Sequence, residues 1–365
     1  MKNYSNNDFA YPQIFVQPYA SFYNVDSFYI SHSYFNRNLI KKPSFPFMPS
    51  HFDYLQSIID NNNEEKYFIG ECECIKKTKI ICGNIILNKN FLYFKNNDNI
   101  KKEYGNDMKY LFGSYKDDIR ITNKIILIKI KDIKEIISRR YLYDYRAFEI
   151  FLKDGKSYYF NLYSKESLLS FYEEIEKLKN EENDFILIKE PITFFIHNRF
   201  IEDWIDNKIS TYQYLLFINK FASRSFNDIN QYPIFPWIFL ASKNGSYKKK
   251  ETLPSFRELS YPISIKKEED KIDALMFYDS SYDERPKYPA HYRLHYSTSG
   301  YLISYLVRIS PFTEEQIRFQ NNQFDSPSRQ INSIDEILSI LESSHDNREL
   351  IPEYFTSMEF LLNSN

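Results

Sequence analysis

The stretch Ser223-Arg224-Ser225-Phe226-Asn227-Asp228-Ile229-Asn230-Gln231-Tyr232-Pro233-Ile234-Phe235-Pro236-Trp237 decides how the second half of this 365-residue chain is read. Pro233 and Pro236 forbid a regular helix across it. Yet Tyr232, Ile234, Phe235, Trp237, Ile238 and Phe239 give it the apolar content of a core. A buried segment without regular hydrogen bonding must satisfy its backbone groups in some other way. Arg224, Asn227, Asp228 and Gln231 stand just upstream to do so. Of these, Arg224 and Asp228 read as a buried ion pair holding the segment, since buried charges persist when they are paired.

Helix starts flank this segment. Ser210 with Gln213 is a capping box before Tyr214, Leu215, Ile218 and Phe221, and Thr313 with Gln316 and Ser333 with Glu336 repeat the signal. Residues from about 193 onward therefore read as mostly α, with irregular proline-bearing stretches between helices. Upstream, residues 66–180 read as β. Ile80 to Leu87 and Phe91 to Phe94 flank Asn88–Asn90, a hairpin signal. Ala147 to Leu152 and Ser157 to Leu162 flank Asp154-Gly155, which suits a two-residue type I′ turn. A helix follows, capped by Ser164, with Leu168, Phe171, Tyr172, Ile175 and Leu178 on one stripe. Several strands closed by one C-terminal helix is the layout of a pleckstrin-homology-like (PH-like) barrel.

The remaining segments are connective. Residues 1–63 form an extension rich in aromatic residues, Asn and Pro. Lys95 to Asn123 reads as a long polar loop. Residues 181–192, opening on Glu181-Glu182-Asn183-Asp184, read as an acidic linker. The fold class expected is α+β: a barrel with a C-terminal helix, then a mostly α-helical domain over 193–365.

Bulk composition excludes several functions. The net charge of −2 lacks the basic excess that a general nucleic-acid binder needs. No apolar run approaches the roughly 20 residues of a membrane span. Cys72, Cys74 and Cys82 have no nearby His to complete a tetrahedral zinc site, and read as reduced strand cysteines of a cytosolic protein. The seven glycines form no phosphate-cradling loop.

The opening stretch resembles the signature of the BEACH domain family. Ser210-Thr211-Tyr212-Gln213-Tyr214-Leu215, Ser255-Phe256-Arg257-Glu258-Leu259, His295-Tyr296-Ser297, Phe324-Asp325 and Glu349-Leu350-Ile351-Pro352 extend the likeness in order. The strands resemble the PH-like module that precedes such domains, notably at Ile133 to Tyr141 and Ala147 to Asn161. Three departures stand out. Ser223 stands where the family usually has Gly, Arg293-Leu294 replace Gly-Thr, and the loop Asn244 to Glu251 is idiosyncratic. Family members continue past the motif ending at Asn365. The resemblance therefore implies the N-terminal half of a BEACH domain, truncated before its later part and before the WD-type repeats that normally follow.

The resemblance implies a non-enzymatic scaffold in vesicle traffic, lysosomes or autophagy. It would bind protein partners from the cytoplasm, peripheral at endomembranes, without a cofactor. Its family-motif residues are Arg224, Ser225, Asn227, Asp228, Gln231, Tyr232, Pro233, Pro236, Trp237, His295, Tyr296, Ser297, Phe324, Asp325, Glu349 and Pro352. The alternative is a peripheral membrane module that binds anionic phosphoinositide lipids through the barrel. Lys131, Lys134, Arg139 and Arg140 carry two readings: lipid contact, or packing of the barrel against the BEACH module. His291 and His295 lack the intervening Glu of a zinc protease, and nothing places a nucleophile near Asp325 or Arg329 for a hydrolase.

Overall fold

Alternation of buried and exposed residues builds the first half of the chain. Strands β1 (Phe68–Lys76), β2 (Lys79–Leu87), β3 (Phe91–Asn96) and β4 (Ile125–Lys129) pair antiparallel in chain order, as do β5 (Ile133–Tyr141), β6 (Asp144–Leu152) and β7 (Ser157–Leu162), and β1 pairs antiparallel with β7 to join the two sets. An eighth strand, β8 (Ile186–Ile188), lies parallel on the edge of β5. The sheet order is β4-β3-β2-β1-β7-β6-β5-β8. The computed structural model describes residues 66–96, 125–142, 144–238, 256–261, 265, 268–284, 299–323, 331, 333–342, 348–356 and 358–362. The N-terminal extension, most of the expected 95–123 loop and the loop Asn244 to Glu251 lie outside these residues.

One face of each strand fills the barrel. Cys72, Ile85, Leu92, Phe94, Ile136, Phe148, Ile150 and Phe160 are all fully buried there. Gly83 is required at its position: a Cβ would stand 2.3 Å from the Lys95 carbonyl and 2.7 Å from the Phe94 ring. Helix α1 (Lys165–Lys177) starts at Ser164, whose side chain accepts from the Ser167 amide, and buries Leu168, Phe171, Tyr172 and Ile175. Phe171 stacks on Phe148 at 4.3 Å. Burial of each such side chain contributes about 1.5–3 kcal/mol. Burial also pushes the Cys72 thiol well above its usual range, which suppresses the reactive thiolate.

Two local expectations are corrected. Of the two residues of Asp154-Gly155, Gly155 alone has positive φ, at 89°. A type I′ turn needs positive φ at both. The connection is instead a three-residue loop, with Gly155 N–H donating to the Leu152 carbonyl and Leu152 N–H to the Lys156 carbonyl. The acidic segment 181–192 is also more than a linker, because its apolar run Ile186-Leu187-Ile188 is the strand β8.

Helices α2 (Pro191–His197), α3 (Phe200–Ile205) and α4 (Thr211–Phe221) follow β8. The capping box at Ser210 and Gln213 is present at the start of α4. By internal contacts the chain divides after Ser223, so α2–α4 group with the barrel. Residues 224–365 form the second unit, with α5 (Glu268–Glu284), α6 (Ser299–Tyr305), α7 (Phe312–Phe319) and α8 (Ile334–Leu341). Ser333 caps α8 through the Glu336 amide. Thr313 does not cap α7: the helix begins one residue earlier, behind Pro311, and the Thr313 hydroxyl donates to the Val307 carbonyl. The core of this unit gathers Trp237, Tyr305, Ile337, Leu341, Tyr354 and Phe360.

Candidate interaction site

The outward face of β5 and β6 is the counterpart of the filled barrel. Period-two alternation puts Glu135, Ile137 and Arg139 of β5 on one face, opposite the set that includes Ile136. On β6 the matching residues are Glu149 and Phe151. The register pairs Ile137 with Glu149, so Arg139 and Glu149 are diagonal neighbours. Against this face pack Phe200, Phe217 and Phe221, with Phe194, Phe195 and Ile209 at the margin. The Phe200 ring lies 4.8 Å from Phe217 and 5.3 Å from Phe221.

Four charges sit in this apolar seam. Arg139 is 1% exposed. Its Nε and Nη2 both meet Oε2 of Glu149, at 2.9 and 2.7 Å. Its Nη1 donates to the backbone carbonyl of Lys220 in the last turn of α4. That carbonyl belongs to the group a helix leaves without an internal partner, and a cation there complements the helix dipole. The Lys220 ammonium pairs with Glu135 and stands 4.5 Å from the Phe151 ring centroid. Two cations and two carboxylates thus close a neutral quartet, the condition under which buried charge is tolerated.

The four basic residues singled out from the sequence separate here. Arg139 is consumed by the quartet. Lys134 is half-buried, and desolvation lowers its pKa; Glu135 opposes that shift and Lys220 adds to it. Arg140 is half-buried, and Lys131 is exposed. The partners Glu135, Glu149 and Lys220 were missed. Their signal was present: a carboxylate inside the apolar run Ala147-Phe148-Glu149-Ile150-Phe151 calls for a buried cation.

The signature segment is described within the second unit. Asp228 is buried, and its carboxylate accepts from the Asn230 amide at 2.9 Å, capping a 3-10 turn over Ile229–Gln231. Ser225 N–H donates to the Gln231 carbonyl, and Asn227 N–H to the Ser225 hydroxyl oxygen. Arg224 Nη1 donates to the Tyr232 carbonyl at 2.8 Å. These bonds answer the backbone demand that the prolines create. Beyond the turn, Phe235 exchanges both backbone hydrogen bonds with Leu350. The Tyr232 hydroxyl donates to Glu353 at 2.6 Å. Trp237 is 1% exposed beneath the Arg257 guanidinium, which lies 5.0 Å from its ring. Pro233 is buried and Pro236 half-buried. Tyr305 donates to the Glu349 carbonyl, and Pro352 opens a buried 3-10 turn, Pro352–Phe355. His291, His295, Tyr296, Ser297, Phe324, Asp325 and Arg329 lie outside the described residues.

Residues 72–176 match the family model described as PH domain associated with Beige/BEACH, and residues 202–365 match that of the Beige/BEACH domain. The chain carries the PH–BEACH pair. All four quartet residues lie in the first compact unit: Arg139, Glu149 and Glu135 fall within the PH match, and Lys220 within the opening residues of the BEACH match. Among curated relatives, the BEACH domain-containing protein lvsE of Dictyostelium discoideum is 28% identical, covering 86% of this chain and 15% of that protein. The Lysosomal-trafficking regulator of Drosophila melanogaster is 32% identical, covering 64% of this chain and 7% of that protein. The PH–BEACH chain therefore spans a small part of the length of these relatives. A Slm1 PH domain solved in complex with D-myo-inositol-4-phosphate aligns at 16% identity, covering 32% of this chain and 96% of that one, with a TM-score of 0.22. Among the described residues there is no cluster of three metal-ligating side chains, and no helix is long and apolar enough to cross a membrane.

Proposed function

We propose that this PH–BEACH pair is a non-catalytic scaffold in membrane traffic that binds protein partners through a surface formed by the barrel and the first BEACH helices. The observation that carries the reading is the quartet. It fixes the α4 end of the BEACH portion on β5 and β6 of the barrel, so the first BEACH helices and the barrel act as one rigid element. Rigidity of this kind lowers the ordering cost of binding. The match to a lysosomal-trafficking regulator supports the choice of process. The family-motif residues of the second unit are structural on this reading: Asp228, Arg224 and Tyr232 shape a proline-bearing segment and touch no substrate.

Proximity labelling in cells tests the proposal, using the full chain, a soluble control, and an Arg139→Ala variant. Enrichment of endomembrane or lysosomal proteins by the native chain, reduced in the variant, is the expected result. Labelling indistinguishable from the soluble control overturns the trafficking role. Turnover in an esterase and phosphatase screen overturns the non-catalytic one.

A further inference from the structure

Helix α5, in the second unit, turns an apolar stripe outward. Ile272, Leu275, Met276 and Tyr282 stand at i, i+3, i+4 and i+10, which sets them on one side of the helix, with Asp279 among them at i+7. Each of the four is between 51% and 63% exposed. The opposite side, with Asp270, Ala274, Phe277, Tyr278 and Ser281, is half-buried. A surface helix of a globular protein normally turns its apolar stripe toward the core. One exposed leucine needs no explanation, but four large apolar side chains on one stripe mark an interaction face.

The charge around the stripe selects the occupant. Glu268, Glu269, Asp273 and Asp279 are exposed with it. Lys271 is the only basic residue of the helix. It is already engaged, pairing with Glu268 at 2.9 Å and lying 4.3 Å from the Tyr261 ring centroid. Glu269, Asp273 and Asp279 carry no ion pair among the described residues. A second copy of this face would set acid against acid, and nucleic acid or an anionic bilayer would be repelled in the same way. A neutral apolar partner would bury Asp279 within the stripe without a counter-charge. A helix with apolar anchors flanked by Lys and Arg answers both demands. We propose that the outward face of α5 docks a basic amphipathic helix of a partner protein, with Leu275 and Met276 at the centre of the contact. The thioether of Met276 adapts to anchors of different shape.

Fluorescence anisotropy of the full chain with a labelled model peptide tests the proposal. The probe has leucines at i, i+3, i+4 and i+7 and lysines elsewhere; a second peptide keeps the leucines and replaces every lysine with glutamate. The native chain is expected to bind the lysine peptide and not the glutamate one, and to release it as salt screens the flanking charges. Leu275→Gln and Met276→Gln should each weaken binding about fivefold to tenfold. Asp273→Lys combined with Asp279→Lys should weaken it roughly tenfold and remove most of the salt dependence. Because these side chains are exposed, the melting temperature should stay unchanged, which separates lost binding from lost folding. Phe319→Gln, at an exposed apolar residue of α7, serves as the control and should bind like the native chain. Failure of the native chain to bind the lysine peptide overturns the proposal, as does equal binding by the native chain and the α5 variants, or equal binding of the two peptides. Self-association of the native chain that Leu275→Gln abolishes also overturns it, and names a second copy as the occupant.

Discussion

The inside of the barrel and the seam outside β5 and β6 use the same strands for opposite ends. Inside, Ile136, Phe148 and Ile150 meet apolar neighbours, and stability grows with area and fit. Outside, Ile137 and Phe151 meet the phenylalanines of α2–α4, but Arg139, Glu149, Glu135 and Lys220 run through the contact. An apolar face accepts many docking geometries of nearly equal energy. A buried quartet accepts very few, because any slip strands a charge. The difference teaches that the barrel is built for stability, whereas the seam is built for register.

The largest expected effect tests that distinction directly. Phe148→Ala should cost about 3–5 kcal/mol through the cavity it leaves. Glu149→Ala, one residue along, should cost about the same for another reason, since Arg139 is left buried and unpaired. The two separate on rescue. Arg139→Met combined with Glu149→Leu should recover most of the lost stability, measured by urea unfolding of the full chain. The rescued protein should nevertheless be cleaved faster by protease between residues 178 and 210, because the register is no longer specified. A double variant as unstable as the single one would mean that the quartet contributes more than mutual neutralisation.

A smaller effect is expected at Asp228, in the second unit. Asp228→Ala removes the cap on the Ile229–Gln231 turn and should cost about 1–2 kcal/mol. Asp228→Asn keeps a cap oxygen but removes the charge. If the carboxylate acts mainly as a cap, Asn loses little; if pairing with Arg224 dominates, Asn is as harmful as Ala. Thermal melting of both variants decides between them, and an unchanged Asp228→Ala would remove the role altogether.

Elements governed by short-range rules were legible in the sequence. The Ser164 cap with its Leu168, Phe171, Tyr172 and Ile175 stripe, the capping box at Ser210 and the Asn88–Asn90 hairpin all depend on neighbours a few residues away. The signature stretch was legible as non-helical for the same reason, because Pro233 and Pro236 act on their own backbone. Long-range choices were not. Glu149 could be seen as an odd carboxylate in an apolar strand, yet its role depends on a register with Arg139. The partner of Glu135, Lys220, lies a further eighty-five positions away. β8 was hidden because the short apolar run Phe185 to Ile188 in an acidic stretch carries no periodicity; only the edge of β5 makes Ile186–Ile188 a strand. Thr313 misled because a capping pattern is local, whereas Pro311 and the Val307 carbonyl set where α7 begins.

The smallest effect falls where the two compact units divide. Helix α4 ends at Phe221 with Ala222 as its C-cap, and Ser223 follows with φ of 66°, in the left-handed region. A residue with a Cβ is strained there by about 1–2 kcal/mol, which is why glycine commonly follows a helix at this position. The family's usual glycine at this place therefore has a backbone reason, and this chain carries the strain. Ser223→Gly should raise stability by roughly 0.5–1 kcal/mol, the relief being partly offset by the greater freedom of glycine in the unfolded chain. Ser223→Ala should bring no gain, since alanine keeps the Cβ and the strain. Urea unfolding of the two variants beside the native chain reads the difference. If glycine destabilises, the serine side chain contributes more at this joint than its backbone costs, and the departure from glycine is an adaptation of this chain rather than a tolerated defect.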